Sequence, residues 1–391
     1  MIPRMLEATI RRLEKAYPAI AITGPRQSGK TTLAKALFPD KPYLSLENPD
    51  LREQAKSDAR GFLASCRDGA VLDEVQRCPE LFSYLQEPLD QPGVRGKFIL
   101  TGSQQFGLLA GITQSLAGRV GMVELPPFAG AEIPGLLATS PWEAIHKGFY
   151  PPLFDRPHDP VQWYAGYIQT YLERDVRQIT QVHDLDAFQR FLRLCAGRAG
   201  QLLNHAALAA DVGISQPTAN AWISILRASY VVFLLPPMHR NFNKRMVKSH
   251  KLYFYDTGLA CRLLGMRTAA ELEASPFRGA LFENLVVADQ LKRQLNRGLP
   301  GNLYFWRDNV GHEIDLLLPA GPDRWIPLEI KSGQTVASDW FDGLRRWTGM
   351  AGSFAGDPIL VYGGDRPAQG HGVTVHPWRE FLLANDAAGG R

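Results

Sequence analysis

The stretch Gly24-Pro25-Arg26-Gln27-Ser28-Gly29-Lys30-Thr31 follows an apolar run, Ala19–Thr23 (AIAIT), and precedes a helical pattern that begins at Thr31 and runs to about Phe38. It fits the pattern G-x-x-x-x-G-K-[ST], and a strand before it with a helix after it is the context this pattern needs. The glycines let backbone N–H groups turn inward on phosphates, and the helix N-terminus adds its positive end. Lys30 is placed to reach the β- and γ-phosphates, and Thr31 to offer a hydroxyl to Mg²⁺. Gly24, Pro25, Arg26, Gln27, Ser28, Gly29, Lys30, Thr31 and Thr32 are therefore the expected ATP-binding set. Such a loop constrains the fold strongly, because it needs a buried strand to launch it and a helix to receive it.

The residues that follow supply that fold. PYLSLE (42–47), AVLDE (70–74), KFILTG (97–102) and VGMVEL (120–125) read as further strands, with helical patterns around 49–65, 80–90 and 104–117. Short apolar strands alternating with helices predict a parallel sheet covered on both faces. The strand AVLDE ends in two acids. Asp73 is placed to hold Mg²⁺, and Glu74 to orient or deprotonate an attacking water. A simple kinase has no need of a water-activating Glu74 and would need an acceptor pocket that the sequence does not display.

ITGPRQSGKTTLAKALF, VLDEVQ, ILTGSQQF and SLAGRVGMVELPPF together resemble AAA+ ATPases. More closely they resemble the prokaryotic ATPase family that carries a C-terminal domain of unknown function, and YPPLF, YLERDV and YFYDTGLACRLLG extend the resemblance over nearly the whole chain. The resemblance implies that Thr101 or Ser103 is a sensor of the γ-phosphate or the water. It also implies that Arg119, just before the fifth strand, is an arginine finger that projects into a neighbouring subunit of a homo-oligomer. An ordinary helix-end arginine is the alternative reading of Arg119.

Eight prolines fall between residues 126 and 160, which reads as a connector with short helices at most. LNHAALAADVGISQPTANAWISILRASYVVFLL then reads as a helix-turn-helix, with a turn at Gly213 and strands beyond, so a winged helix is expected. Its second helix, capped by Ser215, would present Gln216, Thr218, Asn220 and Ser224. The wing carries Arg240, Lys244, Arg245, Lys248 and Lys251 without an acid. Such a run can neutralise DNA phosphates and make binding salt-dependent, although winged helices also mediate protein contacts and charge runs are often solvated faces.

The last unit contains FENLVVADQLKRQL, LYFWRDNVGHEIDLLLP and WIPLEIKSG. Residues two apart in a strand share a face, so Glu329 and Lys331 should project together, with Ile330 packed behind. Asp315 on a neighbouring strand would complete a two-carboxylate site with Glu329 for Mg²⁺ or Mn²⁺, and Lys331 would act on the attacking water or on the developing charge. The order Asp315, Glu329, Lys331, with Glu283 on the preceding helix, resembles the PD-(D/E)XK nuclease pattern, although Ile314 stands where that pattern has proline.

With 391 residues, 45% hydrophobic and 21% charged, the chain has ample apolar material for buried cores, which excludes wholesale disorder. A net charge of +4 is too mild to name a nucleic-acid partner by itself. Cys66, Cys78, Cys195 and Cys261 are far apart, so neither a zinc finger nor a disulfide framework is indicated. The longest apolar run, Tyr230–Met238, falls short of the roughly 20 residues that a membrane span needs. A cytoplasmic protein without a membrane partner is expected. The sequence thus predicts an α/β protein: a P-loop parallel-sheet ATPase core over 1–135, a Pro-rich connector and helical region over 136–200, a winged-helix-like domain over 201–275, and a restriction-endonuclease-like α/β domain over 276–385. The function it predicts is ATP hydrolysis coupled to DNA binding and to metal-dependent nucleic-acid cleavage. The alternative is a nucleotide-dependent switch or scaffold whose terminal domain binds a partner and cuts nothing.

Overall fold

The computed structural model describes residues 1–103, 105–172, 184–238 and 247–384. They form two compact units. The first comprises Met1–Phe128, Ala228–Tyr230 and Arg293–Pro300, and the second comprises Ala129–Arg227, Val231–Lys292 and Gly301–Arg391. The segments expected as connector, winged helix and terminal domain all contribute to the second unit.

The first unit holds a five-stranded sheet in the order β2-β3-β4-β1-β5. Its strands are β1 (Ala19–Thr23), β2 (Tyr43–Ser45), β3 (Ala70–Asp73), β4 (Phe98–Thr101) and β5 (Val120–Glu124), all paired in parallel. The helices are α1 (Leu6–Ala16), α2 (Lys30–Leu37), α3 (Pro49–Ser57), α4 (Ala59–Ala64), α5 (Leu81–Leu89) and α6 (Gln105–Ser115). Strand residues alternate between two apolar layers, as the pleat requires. Ala19, Ala21, Leu72, Phe98 and Leu100 pack with Phe62, Phe82 and Leu85 on one face. Ile20, Ile22, Val71, Ile99 and Val123 pack with Leu6, Ile10, Leu33 and Leu37 on the other. β1 is buried along its whole length between β4 and β5. The loop after β1 therefore emerges between the C-terminal ends of β4 and β5, on the sheet edge where ligands of open α/β sheets bind.

The second unit begins with short helices: α7 (Pro134–Leu137), α8 (Pro141–Lys147), α9 (Pro152–Asp155) and α10 (Pro160–Tyr167). Proline suits these positions because a helix's first turn has no use for its N–H. The helical trio α11 (Leu185–Ala196), α12 (His205–Val212) and α13 (Gln216–Ala228) follows, and Phe188 and Phe191 meet Trp222 edge-on, each at 5.2 Å. The turn between α12 and α13 is made by Gly213 at φ +83°, and Ser215 Oγ accepts the Thr218 N–H at 3.2 Å. Strands β6 (Val232–Leu235) and β7 (Lys251–Phe254) pair antiparallel. Helices α14 (Thr257–Leu263), α15 (Ala269–Ala274) and α16 (Arg278–Asn296) lead to a mixed six-stranded sheet. Its order is β12-β13-β11-β10-β9-β8, from β8 (Tyr304–Arg307), β9 (Glu313–Gly321), β10 (Arg324–Lys331), β11 (Ile359–Tyr362), β12 (Ala368–Gly370) and β13 (Val373–Pro377). Trp306, Ile314, Leu317, Leu344, Trp347 and Leu360 form its core, with α17 (Asp342–Ala351) and α18 (Trp378–Leu383) completing the unit.

The motif YFYDTGLACRLLG has a structural use. Buried Asp256 caps α14 through the Leu259 N–H at 2.9 Å and accepts the Phe149 N–H at 2.7 Å and the Tyr164 hydroxyl at 2.5 Å. This one carboxylate fastens the proline-rich segment, and a Cβ on Gly258 would lie 2.6 Å from the Tyr164 ring.

Candidate functional site

The phosphate-binding loop is shaped by its backbone. Gly24 (φ +142°), Gln27 (φ +64°) and Gly29 (φ +92°) all sit at positive φ. At Gly24 a Cβ would lie 2.3 Å from the Leu125 carbonyl oxygen, so only glycine lets the loop leave β1 here. Lys30 opens α2 and is buried, with its ammonium donating to the carbonyls of Gly24 at 3.0 Å and Pro25 at 2.7 Å. The Ser28 hydroxyl is buried and finds no hydrogen-bond partner among the described residues, an unusual state for a polar atom inside a protein. Arg4, whose role the sequence did not disclose, braces the loop from behind. Its guanidinium donates to the Ser28 carbonyl at 2.8 Å and the Pro126 carbonyl at 2.7 Å, and lies 4.6 Å from the Phe128 ring centre. Fixing the Ser28 carbonyl on that side turns the following Gly29 N–H the opposite way.

Asp73 stands at the end of β3 beside this loop. One oxygen accepts the Thr31 hydroxyl at 3.1 Å and the Thr101 hydroxyl, and the other accepts the Tyr43 hydroxyl at 2.6 Å. Burial and the hydrogen bond to Asp73 push the Tyr43 phenol up to about 12, so it stays a donor. Lys35 sits over the Tyr43 ring at 3.6 Å from its centre. Glu74 adopts the left-handed conformation (φ +53°), which costs a non-glycine residue about 1 kcal/mol. Its carboxylate accepts from the Ser103 hydroxyl at 2.9 Å and from Gln76. The sequence could not separate Thr101 from Ser103; in the fold Thr101 serves Asp73 and Ser103 serves Glu74. One carboxylate and one hydroxyl beside a phosphate loop form a donor set that fits Mg²⁺, with nucleotide oxygens completing it. The side chain of Arg119 pairs within its own chain, Nε with Asp90 Oδ1 at 2.5 Å and Nη2 with Asp90 Oδ2 at 2.9 Å.

The acid–lysine cluster of the second unit comes together on β9, β10 and α16. Glu329 and Lys331 pair on one face of β10, and the Ile330 N–H donates to Asp315 Oδ2 at 2.8 Å. Glu283 joins from α16, accepting the Tyr253 hydroxyl at 2.5 Å and the Lys251 ammonium at 2.8 Å. Lys251 also pairs with Glu313 and lies 3.9 Å from Asp315. Burial pushes Glu283 up to about 7 and Glu329 up to about 8; Asp315 adds to both, while Lys251 and Lys331 oppose. Burial alone would lower the Lys251 ammonium, yet Glu283, Tyr253, Asp315 and Glu313 hold it well above its ordinary value.

One expectation is corrected here. Lys251 is not part of an exposed DNA-facing run: its side chain is 3% exposed and committed to acids. At Asp315 and Glu329, where Mg²⁺ or Mn²⁺ was expected, Lys331 pairs with Glu329 and Lys251 lies 3.9 Å from Asp315. Among the described residues no group of three or more His, Cys, Asp or Glu is placed to hold a metal. Lys251 and Tyr253 could have been flagged from KLYFYD, since a lysine two residues before a tyrosine in an apolar strand shares its face and must find a partner. Of the basic run, Lys248 is exposed, while Arg240, Lys244 and Arg245 lie outside the described residues. On α13, Gln216, Asn220 and Ser224 are exposed, whereas Thr218 is half-buried against Ser215. Arg198, weighed as a second sensor, pairs with Asp211.

Among the described residues no helix is long and apolar enough to cross a membrane. Residues 16–133 match the family described as AAA domain, and residues 139–270 and 278–381 each match a domain of unknown function. Uncharacterised proteins of Mycobacterium tuberculosis and Mycobacterium bovis are each 34% identical over 332 residues, 84% of this chain and 73% of theirs. Among solved structures, the Walker-type ATPase of Pyrococcus abyssi aligns over 67% of this chain and 96% of its own, at 16% identity and a TM-score of 0.46. A signal transduction ATPase with a tetratricopeptide repeat sensor from Pyrococcus horikoshii aligns over 75% of this chain and 47% of its own, at 12% identity and a TM-score of 0.25. With an AAA domain laid over the phosphate loop and Asp73, and relatives matched across most of their length, the chain belongs to the same family as these mycobacterial proteins and is a P-loop ATPase of the AAA type.

Proposed function

We propose that the protein is an ATP-hydrolysing switch whose nucleotide state controls a partner-binding second unit, with DNA as the partner. The observation that carries the first part is the convergence of Thr31, Tyr43 and Thr101 on Asp73, with Glu74 held one residue away. Lys30 exchanges its two carbonyl acceptors for β- and γ-phosphate oxygens, a gain because a charged acceptor binds an ammonium more strongly. Thr31 and Asp73 would hold Mg²⁺, which when bound would draw negative charge off the phosphates. Glu74 takes the proton of the attacking water, and Ser103, already bonded to that carboxylate, keeps it aimed.

The corresponding test is turnover. Lys30→Ala should lose ATP hydrolysis with weakened nucleotide binding. Glu74→Gln should keep nucleotide bound and lose about 10²-fold or more in rate, the typical share of a general base. Wild-type turnover in both variants would remove the assignment.

DNA as partner is supported by the basic segment that ends at exposed Lys248, and by the uncharged, hydrogen-bonding face of α13. Stimulation of turnover by DNA, fading with salt, is the expected result; turnover indifferent to DNA at low salt leaves a protein partner as the occupant. The second unit is read as binding without cutting; what supports this is Lys251, which pairs with Glu283 and Glu313 beside Asp315.

A further inference from the structure

We propose that Lys251 is the resident cation of the terminal acid site: its ammonium fills the position among Glu283, Glu313 and Asp315 that a divalent metal would otherwise take. The inference deepens the non-cleaving reading of the second unit and rests on it. The geometry is specific. Lys251 Nζ lies 2.8 Å from Glu283 Oε1 and 3.9 Å from Asp315 Oδ1, and it contacts Glu313 as well. Three elements meet at that one nitrogen: β7 brings the lysine, α16 brings Glu283 and β9 brings the other two acids. The ring of Phe305 closes one side, 5.6 Å from the nitrogen.

The two halves of this cluster require each other. An ammonium with 3% exposure cannot remain charged away from water unless acids surround it, and acids gathered so closely cannot all ionise without a cation among them. Either a lysine or a metal could supply that charge. A metal needs carboxylate oxygens within about 2.0–2.6 Å of its centre, and the Lys251 nitrogen stands in the space those oxygens enclose. Most of the remaining acceptors are engaged, although Glu329 Oε2 is buried without a hydrogen-bond partner among the described residues. Asp315 Oδ2 takes the Ile330 N–H, Tyr253 donates to Glu283, Arg307 pairs with Glu313 at 3.0 Å, and Lys331 pairs with Glu329. Strand β7 lies directly after the basic segment, so the same stretch of chain supplies both the exposed Lys248 and the inward counter-ion.

The test counts bound Mn²⁺ by electron paramagnetic resonance on the full chain without nucleotide. Wild type and Asp315→Asn should bind the same amount, because the terminal site takes none. Lys251→Met should gain about one Mn²⁺ per chain, and adding Asp315→Asn should abolish the gain. Lys251→Arg keeps the charge and should gain none. Asp315-dependent Mn²⁺ binding by wild type, or Asp315-dependent DNA cleavage by wild type, would overturn the proposal. So would a folded Lys251→Met that gains no metal. Should Lys251→Met fail to fold, the wild-type comparison with Asp315→Asn still decides. ATP turnover on the same samples reports on the nucleotide site separately, so the two readings can fail independently.

Discussion

Asp73 receives three side-chain hydroxyls, from Thr31, Tyr43 and Thr101, while its neighbour Glu74 is held by Ser103 and Gln76. Adjacent acids are thereby given different surroundings, and on the proposed reading the difference separates a metal-facing role from a water-facing one. Tyr43 touches the far oxygen of Asp73, so it orients the carboxylate without standing in the site itself. Partners of this kind typically contribute 10- to 100-fold to metal affinity. Tyr43→Phe should therefore raise the Mg²⁺ concentration for half-maximal turnover about tenfold at saturating ATP, with little change in the maximal rate. A Mg²⁺ titration checks it, and an unchanged midpoint would assign Tyr43 to packing under Lys35 alone. No motif announced Tyr43; it is the first residue of β2, and it meets Asp73 only because β2 pairs with β3 in a register that sets Tyr43 opposite Val71 and Ser45 opposite Asp73.

Elements decide what single residues can reach. Arg119 stands in the turn before β5 and spends its guanidinium on Asp90, which follows α5. Acting on a neighbouring subunit's nucleotide would require exchanging Asp90 for phosphate. If it does so, Arg119→Ala should bind nucleotide normally and lose about 10³-fold in turnover, the lower range for an arginine finger. Mixing it with Lys30→Ala should restore part of the activity, because each chain then lends what the other lacks. Unchanged turnover in Arg119→Ala would leave the ion pair with Asp90 as its whole role. β7 teaches the converse lesson. In the sequence Lys251 closes a basic run, yet in the fold it opens a strand paired with β6, and the step from exposed His250 to buried Lys251 takes one residue. Charge counted along a chain assumes a common face, and a strand's alternation removes that assumption.

For the molecule as a whole, the first unit is not one continuous stretch of chain. The Tyr230 hydroxyl donates to Thr23 Oγ1 at 2.8 Å, one residue before the phosphate loop. The carbonyls of Asn296 and Arg297 accept from Thr9 at 2.9 Å and Arg12 at 3.0 Å. A fragment ending at Phe128 keeps every strand of the sheet but loses these three partners. Two of the three bonds, those of Thr9 and Tyr230, are buried, and each buried bond left unmade costs about 1–3 kcal/mol, against a domain stability of about 5–15 kcal/mol. The fragment should melt about 10 °C below the nucleotide-binding unit of the full chain and bind ATP more weakly. Thermal unfolding followed with a nucleotide probe would check this, and an equal midpoint would show that the later segments only rest on the unit. The sequence by itself determined the parallel sheet, the phosphate loop, the acidic end of β3 and the placement of Glu329 and Lys331 on one strand face. These follow from local patterns: apolar alternation, glycines where φ must be positive, and acids at strand ends. Tertiary structure alone decided that Arg4 braces the loop, that Tyr43 holds Asp73, and that Thr101 and Ser103 serve different acids. It also decided that Lys251 enters the acid cluster, 64 residues before Asp315 in the chain. The physical reason is that burial makes an isolated charge untenable, so its partner is chosen by which elements pack together and not by which residues are near in sequence.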